Sequence, residues 1–173
     1  MKKQKGFSLI ELLIVVAIIL IIAAIAIPNL LRSKIAANES SAVGSIRTIV
    51  TAQVSYSSSW GTGYAAALAN LGGTPAACAV GASAANACLI DPILTLGAKS
   101  GYTFASNPTL PQVVGAVTVN NGFEADGTPV AVGQTGQRSF CADQSGVIHF
   151  NPTGATIVGT ACGTLPANQV LGN

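Results

Sequence analysis

From Leu12 to Ile27 every residue is apolar, and one acid, Glu11, stands at the head of that run. No other stretch restricts the fold as much. At about 1.5 Å of rise per residue, a helix from Phe7 to Leu31 reaches roughly 37 Å, enough to cross a bilayer with some tilt. Each Leu, Ile or Val gains on the order of 1.5–3 kcal/mol on leaving water. A carboxylate at mid-bilayer costs only about 2.5–3.5 kcal/mol on insertion scales, and Glu11 lies nearer the interface. The span therefore tolerates Glu11 without a partner. Ionisable residues kept inside a span mark function, and a carboxylate there gains from meeting a cation.

Lys2, Lys3 and Lys5 precede the span and Arg32 and Lys34 follow it, a modest bias that favours a cytoplasmic N-terminus. An ordinary secretory signal competes with this reading. The three lysines would be its charged region, Leu12–Ile22 its apolar region and Ala24-Ile25-Ala26 its cleavage site. That reading leaves Glu11 unexplained and cuts through what looks like one continuous helix.

The order Lys5-Gly6-Phe7-Ser8-Leu9-Ile10-Glu11-Leu12-Leu13, with Ala26-Ile27-Pro28-Asn29 further on, strongly resembles the N-terminal signature of type IV prepilins and the related pseudopilins of type II secretion. The resemblance implies a leader of residues 1–6, removed by a prepilin peptidase that cuts between Gly6 and Phe7 and methylates the new Phe7 amine. It also implies that Glu11 pairs with the N-terminus of a neighbouring subunit during assembly. The expected partners are other copies of the chain in a helical filament, the peptidase/methyltransferase, the inner-membrane assembly platform and the membrane itself. The expected locations are the inner membrane before assembly and an extracellular pilus after it.

The chain, at 173 residues, has room for one domain beyond the span. Charged residues make up only 8% and mean hydropathy is +0.56. Net charge is +2; without Lys2, Lys3 and Lys5, five basic side chains face six acidic ones. No polybasic patch exists to support nucleic-acid binding.

Residues 7–31 read as the apolar helix and 32–60 as its amphipathic continuation. Leu31, Ile35, Ala42, Ile46, Ile49 and Gln53 form a stripe widened by Val43, Val50 and Val54. Arg32, Lys34, Glu39 and Arg47 lie largely off it, and the stripe is expected to pack against a sheet. Pro28 predicts a kink or local melting. Residues 61–100 read as a connecting loop with short helices: Tyr64–Leu71 before Gly72-Gly73, and one begun by Asp91-Pro92. Thr74–Ala87 between them reads as loop. Residues 101–173 read as sheet and C-terminal loop. Candidate strands are Tyr102–Ala105, Val113–Val119, Phe123–Ala125, Arg138–Ala142 and Val147–Phe150, with turns at Asn107-Pro108, Pro111, Asn121-Gly122 and Asp143–Gly146. The fold class is α+β, a long helix on an antiparallel sheet of about four strands.

Cys78, Cys88, Cys141 and Cys162 all follow the span. An even number outside the cytoplasm favours disulfides, with three connectivities open. The sequence-local solution, Cys78–Cys88 with Cys141–Cys162, is favoured; its second bridge would bound a C-terminal loop of the kind many pilins carry. Zinc is disfavoured, because there is no C-x-x-C and only one histidine, His149. His149 reads as a strand-face residue. Asp126-Gly127 and Asp143–Gly146 read as turns rather than calcium loops. Asn38-Glu39-Ser40 is a formal glycosylation sequon, a short match of the sort that arises by accident. No nucleophile, base and orienting group assemble, so no enzyme and no cofactor or metal is expected. The leading reading is a structural pilin subunit. A type II secretion pseudopilin and a secreted or tethered binding domain with an ordinary signal are the alternatives.

Overall fold

The computed structural model describes residues 7–157, 162–166 and 169–171. The leader and its Gly6 lie outside them. By its contacts the chain divides after Lys34. The first helix, α1 (Leu9–Trp60), runs without a break from one part into the other.

In the first part, the large apolar side chains from Leu9 to Leu31 are all exposed. A helix apolar on every side gains by burial in lipid or among other helices, and this one is long and apolar enough to cross a membrane. Pro28 does not melt it; the helix passes through that position. The proline removes one backbone bond, while the neighbouring Ala26, Leu30 and Leu31 are good helix formers that continue the turn on either side.

In the second part, α1 buries Glu39, Ala42, Ile46, Ile49, Gln53 and Tyr56, at alternating spacings of three and four that line up one face. Glu39 thus belongs to the stripe rather than lying off it, whereas Val54 is exposed. Gln53 is fully buried and fully used. Its Nε2 donates to Ser106 Oγ at 2.8 Å and its Oε1 accepts from the Ala65 amide at 2.8 Å. Buried polar groups are tolerated when satisfied in this way.

The connection holds three short helices. α2 (Leu68–Leu71) is followed by α3 (Pro75–Val80), which occupies much of the stretch read as loop. Thr74 caps α3, its Oγ1 accepting from the Ala77 amide, and Pro75 takes the first helical position. α4 (Pro92–Thr95) is capped by Asp91 Oδ1, which accepts from the Leu94 amide at 2.9 Å.

Among the described residues the sheet has five strands rather than about four. They are β1 (Ala98–Lys99), β2 (Tyr102–Val114), β3 (Val117–Pro129), β4 (Ser139–Asp143) and β5 (Ile148–Asn151), in sequence order and antiparallel throughout. The added strand is the two-residue β1. Three turn assignments change, and one candidate strand becomes a hairpin. β2 and β3 meet at Gly115-Ala116, so Val113–Val119 spans a hairpin instead of forming one strand. Gly115 has φ +67°, as the first position of a two-residue hairpin turn needs. Asn121-Gly122 lies inside β3, where a Cβ on Gly122 would collide with Thr109 Oγ1 of β2. That glycine serves a close approach, not a turn. Pro108 and Pro111 fall inside β2, beyond the two residues that pair with β1, on an edge where a missing N–H leaves no strand partner unpaired.

Register sorts the sheet into two faces. Phe104, Gly127, Phe140 and Phe150 lie across from one another, as do Ser106, Ala125, Ala142 and Ile148. This face packs on Ile46, Ile49 and the rest of the helix stripe. The other face carries Glu124, Asp126, Cys141 and His149, and Ile157 and Cys162 cover part of it.

Candidate functional site

The N-terminal site begins at the first turn of α1. Phe7 is exposed, and Ser8 precedes the first helical residue. The Ser8 amide donates to Glu11 Oε2 at 2.9 Å. Ser8-Leu9-Ile10-Glu11 therefore reads as an S-x-x-E capping box, in which the carboxylate satisfies an amide that the helix cannot. The pattern is legible in the sequence itself, as Ser8 and Glu11 three residues apart ahead of an apolar run. Glu11 is thus occupied by its own chain at 2.9 Å, and a neighbour's cation must compete with one amide hydrogen bond or share the carboxylate with it.

A second constellation fixes the helix to the sheet. Glu39 Oε2 accepts from Arg138 Nη2 at 2.7 Å and Nε at 2.9 Å, while Oε1 accepts from the amides of Gln137 and Arg138. Burial pushes the Glu39 carboxyl up, but the Arg138 side chain and the two amides outweigh it and hold the group below its ordinary value. The Arg138 guanidinium lies 5.4 Å from the Phe140 ring centre and 5.3 Å from that of Phe150, a cation–π arrangement. Tyr102 donates its hydroxyl to the Arg138 carbonyl at 2.7 Å. Sequence periodicity missed Glu39 because a buried carboxylate is legible only with its partner, which lies 99 residues away. Asn38 of the sequon gives its amide to the Thr135 carbonyl at 2.8 Å, so the nitrogen a glycan would need is engaged in the fold.

Cys78 and Cys88 are bonded, as are Cys141 and Cys162. The second bridge ties β4 to the C-terminal segment over the acidic face of the sheet. There Asp126 is pushed up to about 7 by burial and then by Glu124, and Glu124 is raised by burial with Asp143 adding to it. His149 sits in β5 opposite Cys141, its Nδ1 buried without a hydrogen-bond partner. Among the described residues no three His, Cys, Asp or Glu side chains are grouped to hold a metal ion.

Phe7 and Glu11 at the head of a membrane-length helix, and an antiparallel meander tied by a disulfide, fit a membrane-anchored filament subunit. Comparison with known proteins agrees. Residues 1–27 match the family model for the prokaryotic N-terminal methylation motif. The chain is 44% identical over 98 residues to the type IV wide pilus major component PilA4 of Thermus thermophilus, covering 52% of this chain and 74% of that protein. It is 48% identical over 54 residues to the type IV major pilin protein PilA of Myxococcus xanthus, covering 31% of this chain and 24% of the relative's length. No solved structure matches significantly. The chain belongs to the type IV pilin family.

Proposed function

We propose that this pilin is stored in the inner membrane through residues 7–31, with its N-terminus cytoplasmic, and is polymerised through that helix into an extracellular pilus. A prepilin peptidase removes residues 1–6, cutting between Gly6 and Phe7, and methylates the Phe7 amine. An inner-membrane assembly platform then draws the helix into a core of identical helices. Residues 32–60 and the sheet form the filament's outer layer, residues 61–100 join them, residues 101–173 include the disulfide-bounded loop, and Pro28 is the point at which the helix bends. The role is structural, with no catalytic step.

The observation that carries this reading is Gly6-Phe7-Ser8-Leu9-Ile10-Glu11, in the order a leader peptidase reads, at the head of a span that has no other charge until Arg32. In the core, Glu11 meets the cationic Phe7 amine of a neighbour. An unpaired buried charge costs several kcal/mol and a paired one is near neutral, so the contact checks axial register more than it adds adhesion. Two variants separate that role from capping. Glu11→Gln keeps a side chain able to cap the Ser8 amide and loses the charge; Glu11→Val loses both. Both should insert in the membrane and both should fail to yield surface filaments. Wild-type filament levels from the glutamine variant would mean that the cap, and not the charge, is what assembly needs.

A further inference from the structure

The domain from residue 35 onward holds few charges, and most are already paired. Lys99 contacts Asp91 at 3.0 Å and Arg138 contacts Glu39. Among the described residues this leaves one unpaired strong base, Arg47, and three acids, Glu124, Asp126 and Asp143. Arg47 is exposed on α1, which packs against the apolar face of the sheet. Glu124 and Asp143 lie opposite each other on the other face. There they line a cleft of about 180 Å³ together with Thr109 and Gln144. Glu124 is 2% exposed, yet its Oε1 has no hydrogen-bond partner. Leaving a buried acceptor unused costs about 1–3 kcal/mol, and more for a charged one. Glu124 takes a backbone hydrogen bond from Cys162, and Leu110 and Phe123 also line the cleft, so the unmet need there is a donor for Oε1.

We propose that the cleft is an intersubunit socket, in which the Arg47 guanidinium of a second copy of this chain bridges Glu124 and Asp143. The inference rests on the filament reading above and adds to it a contact between the folded domains. Arg47 borders a hollow with Ser145 and Gly146 of its own chain, and a base on one patch and acids on another make a heterologous contact, the kind that propagates into an open helical array. Arginine suits the socket because its planar fork can donate to two carboxylates at once. The arriving charge also removes the repulsion between Glu124 and Asp143.

The test is charge reversal in the full chain, reading sheared surface filament against the membrane pool of unassembled subunit. Arg47→Glu and Asp143→Lys should each lower filament yield about tenfold at an unchanged pool. The double variant R47E/D143K should yield more filament than either single variant, because the new lysine sits between the neighbour's new glutamate and the unchanged Glu124. Asp143 Oδ1 also accepts from the Ser145 amide at 2.8 Å, so Asp143→Asn keeps the turn and removes only the charge. It should lose filament too. Normal filament from Arg47→Glu and Asp143→Asn, or a double variant no better than the worse single, overturns the socket and leaves the pilin reading intact. Absence of the wild-type chain from filaments overturns both.

Discussion

Single carboxylates in this chain behave according to what surrounds them. Glu39 is held below its ordinary value and Asp126 above it. A lowered acid contributes stability that is present above its unfolded pKa and lost as pH falls through its folded one. A raised acid does the reverse: the folded state binds its proton more tightly, so stability falls as pH rises from about 4 towards about 7. For Asp126 the loss is on the order of a few kcal/mol, and Glu124 adds to it with the same sign. Thermal melts should therefore show a decline between those pH values, and Asp126→Asn should flatten it. An unchanged slope in that variant would show that Asp126 is not a buried acid. Glu11 is legible in the sequence as an anomaly; its bond to the Ser8 amide at 2.9 Å follows from the S-x-x-E spacing at a helix start.

At the scale of elements, legibility followed how local the determinants are. The helix stripe was readable because side chains three and four apart must share a face. Thr74-Pro75 is an equally local start signal, and α3 shows that it outweighed the alanine- and glycine-rich composition around it. The β2–β3 hairpin does not turn at Asn121-Gly122, where the glycine answers to Thr109 on another strand. No reading of neighbours in sequence contains that contact. The outer face of β3 shows the same limit, since Ile157 and the Cys141–Cys162 bridge that lie over part of it come from distant positions in the chain. With a separation of 21 residues, that bridge should contribute about 3 kcal/mol by loop-closure entropy. Replacing both cysteines by serine should lower denaturant stability by that amount. It should also reduce the pH slope, because Asp126 would regain water. A retained slope would mean that the sheet itself, rather than the bridged segment, keeps Asp126 dry.

At the scale of the whole molecule, two surfaces of unlike chemistry share one chain. The apolar helix up to Leu31 has nothing in its own part to bury against, and the domain from residue 35 keeps an unfilled anionic cleft. In the proposals above, further copies of the same chain satisfy both, the first through Phe7 and Glu11 and the second through Arg47. The central claim is that the helix is kept in the mature protein with a processed Phe7 at its head. Intact-mass measurement of the chain recovered from sheared surface filaments tests it most directly. The account predicts a chain beginning at Phe7, bearing one methyl group on its amine and two disulfides; a chain beginning at Ile27, or one still carrying Met1–Gly6, would contradict it.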